Sequence, residues 1–509
     1  MRVTEQSHEF TEAIDEASVE EMIYQIARTD RQMFGSSAWG AGLLDPILLR
    51  NLAAQQESIT DVLAHPAGRL IMSGAGTSGR LAMQAAATCI LEGSERVKGI
   101  LAGGPAAFFK ARERVEDQPS TGASDLKGAL ATGGPFVYVG ITCGLSAPYV
   151  AGQVQASLIA NGESTIVIGF NRVHQADKRI HPGLVRPFLD ILQDLERTRN
   201  GALLNPVIGP EPITGSTRMK SGSATRILLD CLLNKVDPEL LIKDYKEFQA
   251  ACYKKAEGLA PLIKAAGDTL LKGGSIVYLA APREGLLAML DASECPPTFG
   301  ATAHQVKAFV DDGFAQLMPE FPIEGHRFED YSPGADDLIV AMGVSDELEM
   351  TLERSQKSGA QIHRLQSFPE SFAIQSALAH MEPCYRDLAL KWSLNLISTC
   401  AFIQYGKIYG NRMIDLRISN LKLWERAISI VSQIGEIEAE FAEKILRAIV
   451  LGEGEHHNII LGDLISKAVV MERVVASAIL VARGKTIDEA TELTRQTPKL
   501  KDCLRELKA

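Results

Sequence analysis

From residue 69 onward, short apolar runs alternate with longer stretches in which apolar positions recur every three or four residues. "RLIMS" (69–73), "VKGILA" (97–102), "PFVYVGIT" (135–142) and "STIVIGF" (164–170) are brief and bounded by glycine. They are rich in β-branched or aromatic side chains, the pattern of buried parallel strands. Between them "GRLAMQAAATCILEG" (79–93), "PAAFFKARERVED" (105–117) and "APYVAGQVQASLIAN" (147–161) are predicted helices. Strands alternating with helices give a doubly wound, flavodoxin-like parallel α/β sheet. Residues 1–60 form an N-terminal helical segment broken at "FGSSAWGAG" (34–42).

The pattern then repeats. "SIVYLAAPREGLLAMLDASEC" (275–295) aligns without a gap on "RLIMSGAGTSGRLAMQAAATC" (69–89), at an offset of 206 residues. Gly285 falls on Gly79, Leu287 on Leu81, Met289 on Met83 and Cys295 on Cys89. "DLIVAMGV" (337–344) takes the place of "PFVYVGIT". The chain therefore reads as two tandem copies of one α/β domain, 61–240 and 241–420. In the tail, 421–509, "LKLWERAISIVSQI", "AEFAEKILRAIV", "ISKAVVMERVVASAILVARG" and "TIDEATELTRQT" have only helical periodicity. "GEHHN" (454–458) reads as a solvated loop rather than a metal site, because neighbouring histidines point to different sides of a helix.

Composition narrows the function. At 509 residues the chain exceeds one ordinary core of roughly 100–200 residues. A formal net charge of −11 disfavours a nucleic-acid partner. No apolar run reaches the ~20 residues of a membrane span, and the acidic N-terminus is unlike a signal peptide. The eight cysteines are scattered without C-x-x-C, which suits reduced thiols and a cytoplasmic protein rather than disulfides or zinc.

Candidate chemistry lies at the strand ends. Gly74, Gly76 and Gly79 fit G-x-G-x-x-G, with Thr77 and Ser78 filling the gap. A dinucleotide site also needs an acid about 20 residues on, and "VKGILA" runs into "GGPAAF" without one. A phosphate on a smaller molecule fits better, at a helix N-terminus where N–H groups and the helix dipole favour an anion. "GITCGLSAP" (140–148) offers Thr142, Gly144 and Ser146, and "GPEPITGSTRMKSGSATR" (209–226) offers Gly215, Ser216, Thr217 and Arg218. Each alone is more often a helix cap. Three at equivalent ends of one sheet favour a small phosphorylated ligand. The second copy lacks them: its turn reads "AAPREGL" and its next loop "SDELEM". It has instead Glu294, aligned with Thr88 of the first copy. Fused copies imitate a homodimer with its site between subunits, so one composite site is expected, in a monomer or weak homodimer.

These stretches resemble the sugar-isomerase (SIS) domain superfamily, and within it two families. "GAGTSGRL", "DASECPPTFG" and "GKIYGNRMIDL" are similar to bacterial N-acetylmuramic acid 6-phosphate etherases. "TCGLSAPYVAGQ", "LLNPVIGPEPITGSTRMKSGSATRILL" and the tandem layout with a helical tail are similar to vertebrate glucokinase regulatory proteins. The resemblance implies two tandem SIS domains and a C-terminal helical lid. From the etherases it implies Glu294 as acid and Glu113 as its partner carboxylate. Phosphate contacts carry over to Thr77, Ser78, Thr142 and Ser146, and from the regulatory proteins sugar or phosphate contacts carry over to Thr217, Arg218 and Lys407.

The activity so implied is elimination of D-lactate from N-acetylmuramic acid 6-phosphate, giving N-acetylglucosamine 6-phosphate without metal or organic cofactor. Glu294 stands beside Pro296, Pro297 and Phe299, an apolar setting that suits an acid. By residue type alone, Glu113 in its run with Arg112, Arg114, Glu116 and Asp117 reads as a solvated helix face, and Glu294 as a helix cap. The alternative is a non-catalytic sensor of fructose 6-phosphate or a similar hexose phosphate, regulating a partner kinase. Thr88 in place of a glutamate and "PREG" in the second copy favour that alternative. The segment from Gly300 to Lys391 is shorter than in the vertebrate proteins, so glucokinase binding in particular is not assumed. An aldose–ketose isomerase of the same fold fits the strings less well.

Overall fold

Two parallel sheets form the frame of the computed structural model, which describes residues 2–91, 93–110, 112, 114–311, 326–452, 459–497 and 499–506. The first sheet holds β1 (Arg69–Gly74), β2 (Val97–Leu101), β3 (Phe136–Ile141), β4 (Ser164–Ile168) and β5 (Gly201–Leu204), in the order β2-β1-β3-β4-β5. The second holds β6 (Ile276–Ala280), β7 (Val306–Val310), β8 (Leu338–Met342) and β9 (Gln361–Arg364), in the order β7-β6-β8-β9. That is the same flavodoxin-like order one strand short, so the repeat in sequence is a repeat in topology. Met72 pairs with Gly99 on one side and Val139 on the other, and its counterpart Tyr278 pairs with Ala308 and Val340.

Helices cover both faces. Ser18 caps α1 (Val19–Arg31) and Asp45 caps α2 (Pro46–Ala64), whose first residue is a proline already set for helical φ. α3 (Thr77–Leu91), α4 (Pro119–Ala129), α5 (Pro148–Ile159), α6 (Phe188–Leu195) and α7 (Lys220–Leu233) belong to the first copy. α8 (Pro238–Ala256) and α9 (Ala260–Leu271) lead into the second, which contributes α10 (Pro282–Phe299), α11 (Asp346–Lys357) and α12 (Glu382–Gln404). A short hairpin, β10 (Ile408–Tyr409) with β11 (Arg412–Met413), precedes the tail helices. These are α13 (Leu421–Gly435), α14 (Ala439–Leu451), α15 (Leu461–Ala468), α16 (Val474–Ala482), α17 (Ile487–Gln496) and α18 (Leu500–Glu506).

Period-two alternation splits each sheet's side chains between two layers. Val139 of the first sheet, Val340 of the second and Leu446 of the tail share one continuous apolar core. Tyr138 and Leu279 point the other way, into smaller clusters on the outer faces. In the joint between copies α3 packs on α10 and α7 on α12, which brings the end of α10 to the first copy's loops. Among the described residues no helix is long and apolar enough to cross a membrane.

Several elements differ from the sequence expectation. Among the described residues of 105–117 there is no α-helix: two short 3-10 turns, Pro105–Phe108 and Val115–Asp117, stand at its ends, and Arg114 adopts φ +56°. Gly103 and Gly104, at φ +90° and +76°, turn the chain away before a helix can start. The stretch 465–484 is two helices, parted where Arg473 turns left-handed at φ +58°. β5 and α6 were not read from the pattern, β5 because four residues give too short a period. The "GEHHN" stretch lies outside the described residues.

Candidate ligand-binding cleft

The glycine turn closes on itself for steric reasons. A Cβ on Gly79 would lie 2.3 Å from the Gly74 carbonyl oxygen, and Gly76 sits at φ +53°. Strand end and helix start therefore touch backbone to backbone, and the first turn of α3 opens directly on a cleft at the carboxyl end of the sheet. The cleft holds about 1130 Å³ of empty space, part of it open to solvent.

Two neighbouring loops complete this wall. Thr142 Oγ1 accepts from the N–H groups of Ser146 and Ala147, both at 3.3 Å, which ties the loop to the start of α5. Ser78 Oγ lies 3.5 Å from Cys143 Sγ. Burial pushes that thiol up to about 11, which disfavours its thiolate form. The loop before α7 brings Gly215, Ser216, Thr217 and Arg218 to the same cleft as Gly76, Thr77, Ser78, Thr142, Gly144 and Ser146. Ser216 Oγ and Arg218 Nε are buried there without a hydrogen-bond partner among the described residues. The rest of Arg218 is committed: Nη1 donates to Asp291 at 3.0 Å, and Nη2 to Ser398 at 3.0 Å and Thr399 at 2.7 Å.

The second copy crosses into this site through Glu294. Its helix, α10, runs on through Pro296 and Pro297 and ends at Gly300, which is left-handed at φ +62°. Glu294 is buried, with both oxygens accepting from the first copy. Thr77 Oγ1 donates to Oε2 at 2.6 Å, and Arg80 Nη1 donates to Oε1. Arg80 also donates to the carbonyls of Phe108 (Nε, 3.0 Å) and Ala107 (Nη2, 2.7 Å). Glu294 thus shares a cleft with the first copy's loops, and the Thr77 hydroxyl expected to serve phosphate is given to it instead. The apolar surroundings expected around Glu294 are accompanied by a cation that the spacing did not reveal.

The tail roofs the cleft. Lys422 Nζ donates to both oxygens of Glu116 at 2.8 and 3.0 Å, and Asn420 Nδ2 adds a bond to Glu116 at 3.1 Å. Asp117 accepts from the Leu421 N–H at 3.3 Å. Glu116 and Asp117, read as part of a solvated helix face, instead hold the start of α13, which Asn420 caps. Arg426 forks onto Glu5 at 2.6 and 2.8 Å, so the N-terminal segment forms part of the rim. Burial alone would raise Glu5, but the Arg426 guanidinium outweighs it and holds the carboxyl below its ordinary range.

One expected residue is not brought in. Lys407 is absent from the cleft wall and pairs with Asp415, whose carbonyl oxygen packs against Gly300. Glu113 lies outside the described residues, although Arg112 beside it lines the cleft. In the second copy Arg283 stands where Thr77 does in the first, and is held by Asp387 at 3.0 and 3.1 Å. Arg80, Glu5, Lys422 and Arg426 went unnoticed in sequence. Arg80 lies inside "GAGTSGRL", but nothing in its spacing points to a partner 214 residues away. Among the described residues no His, Cys, Asp or Glu cluster could hold a metal.

Family models for the glucokinase regulatory protein match the N-terminal SIS domain at residues 53–158, the second SIS domain at 253–322 and the C-terminal lid domain at 410–504. The chain belongs to the tandem SIS-domain family. It is 28% identical over 512 residues to the glucokinase regulatory protein of Xenopus laevis, covering 88% of this chain and 83% of that one. It is 32% identical over 214 residues to the N-acetylmuramic acid 6-phosphate etherase of Enterobacter sp. (strain 638), covering 37% of this chain and 71% of that one. The solved tagatose-6-phosphate ketose/aldose isomerase of Escherichia coli aligns at 14% identity and TM-score 0.45, covering 75% of this chain and 95% of that one. This SIS protein thus has a likeness along nearly its whole length to the regulatory proteins, and to the etherases over little more than a third.

Proposed function

We propose that this SIS protein is a hexose-phosphate-binding regulator, with the cleft between its two copies as the ligand site and a kinase as its protein partner. One observation carries the reading. Glu294 of the second copy is held, with both oxygens accepting, in a cleft lined by hydroxyls from three strand-end loops of the first. Helix N-termini and hydroxyls suit a phosphate, and a fixed acceptor suits sugar hydroxyls. An acid that protonates a leaving alkoxide must present a hydrogen. The partners of Glu294 are instead an arginine, which can only donate, and a threonine hydroxyl. The etherase expectation therefore yields to its alternative, in keeping with the length over which each relative matches.

The lyase remains a second reading because the etherase likeness reaches 32% identity, and because the string that carries Glu294, "DASECPPTFG", is similar to the etherases. One experiment separates them. The protein is titrated with fructose 6-phosphate by calorimetry, and incubated with N-acetylmuramic acid 6-phosphate while D-lactate is followed enzymatically. Binding without lactate release is the expected result. Lactate release that Glu294→Gln abolishes would transfer the assignment to the lyase, and absence of any hexose-phosphate binding would sink the regulator.

A further inference from the structure

Arg80 is 1% exposed, and each of its outer nitrogens has an acceptor. Nε and Nη2 go to the carbonyls of Phe108 and Ala107, and Nη1 to Glu294. Three separate pieces of chain meet on one guanidinium: the first turn of α3, the turn after β2, and α10 of the second copy. A planar fork with fixed donor directions sets its acceptors at fixed positions relative to one another, which a flexible ammonium does not. Ala107 and Glu294 both line the cleft. The distance between the wall after β2 and the carboxylate from the other copy is therefore set at Arg80. Thr142, Ser146 and Ser216 stand on two other loops, to which Arg80 makes no hydrogen bond among the described residues.

We propose that Arg80 is a specificity-determining positioning residue: it holds Glu294 and the turn at Ala107 in register for the hydroxyls of the sugar, separately from the two loops, at Thr142–Ser146 and Ser216, that offer hydroxyls to the phosphate. This rests on the phosphosugar reading and sharpens it. The sugar half of the ligand is read across the joint between copies, and the phosphate half within one copy. Changing Arg80 then alters which phosphate ester is preferred without altering affinity for phosphate itself.

The test compares fructose 6-phosphate with inorganic phosphate on the full chain, by calorimetry, for wild type, R80K, E294Q and the double variant. The readout is the ratio of the two affinities. R80K keeps the charge and loses the fork, and the ratio is expected to fall about tenfold, the scale of one charge-assisted hydrogen bond. E294Q lowers it similarly, the double variant lowers it no further, and R80K leaves affinity for inorganic phosphate within about twofold. If R80K does not fold, E294D withdraws the carboxylate from an intact Arg80, and the same fall is expected. A folded R80K or E294D with the wild-type ratio overturns the proposal, as does an equal loss of both affinities, which marks a merely structural role. A wild type that binds the sugar phosphate no better than phosphate overturns the phosphosugar reading along with it.

Discussion

Thr77 and Glu294, 217 positions apart in the chain, share a hydrogen bond of 2.6 Å that crosses from one SIS copy to the other. Both side chains are buried. The hydroxyl therefore belongs to the joint between copies before any ligand arrives.

A prediction follows for the empty protein. Thr77→Val keeps the shape and removes the donor, leaving a buried carboxylate oxygen without its partner. Such a loss costs about 1–3 kcal/mol. The urea midpoint of Thr77→Val without ligand should fall accordingly. An unchanged midpoint would mean that the hydroxyl is free in the resting protein, as the sequence alone suggested.

Arg218 was read as a sugar or phosphate contact, and the structure gives it a second duty. Its side chain and that of Asp291 are 1% and 2% exposed, and the pair joins the loop before α7 to α10 and α12. Removing one partner of a fully buried pair strands the other charge, at about 3–5 kcal/mol. Arg218→Met should therefore lose stability by that order in chemical denaturation, and any lost ligand binding must be judged against it. A variant that keeps the wild-type midpoint would refute this account.

What was legible in sequence and what was not divides along a physical line. The strand-end glycines were legible because a close backbone approach, as at Gly74 and Gly79, admits no other residue. That Glu294 shares a cleft with the first copy's loops was legible because the repeat left the strand-end hydroxyls to one copy and the carboxylate to the other. The segment 105–117 was misread because Glu116 and Asp117 serve the tail helix α13, a partner about 300 positions away that no local pattern reveals. Lys407 was misplaced although Asp415, its partner, lies within the same quoted string; a pairing inside a hairpin was the simpler inference.

The N-terminal segment makes stability depend on pH. His8 accepts from the Phe10 N–H through Nδ1 at 3.2 Å, so its other nitrogen, 2.8 Å from Gln32 Oε1, carries the hydrogen. A proton on Nδ1 breaks the first bond. Burial, with the charge of Lys220 added, pulls His8 down to about 4 from an ordinary 6.5. A base whose folded pKa is depressed binds fewer protons folded than unfolded. Its contribution is complete above about pH 6.5 and is lost as pH falls from there toward about 4. The melting temperature should drop across that window in wild type, and by at least about 2 °C less in His8→Asn. Parallel curves for the two proteins would remove His8 from the explanation.

The roof should open where its ion pairs are weakest. Arg426 and Glu5 have side chains 8% and 21% exposed, whereas Lys422 and Glu116 are 33% and 16% exposed. Exposed pairs contribute little, typically about 0–1 kcal/mol, and desolvated ones lose more when one partner goes. Glu5 is held below its ordinary range by Arg426, so its contribution is present above the unfolded carboxylate value of 4.5 and lost as pH falls through the lower folded one. At neutral pH both clasps are closed. Amide exchange over residues 420–426 reads the opening directly, since local opening free energy sets the protected fraction. Glu116→Gln should speed that exchange by roughly twofold to fivefold, and Glu5→Gln by about tenfold or more. Glu5→Gln should also expose residues 2–6 to exchange, because the rim segment then loses its hold on the lid. Equal and negligible effects from both variants would show that α13 is held by its apolar face alone, through Trp424, Ala427 and Val431 in the core, and that the acids from the first copy merely follow it.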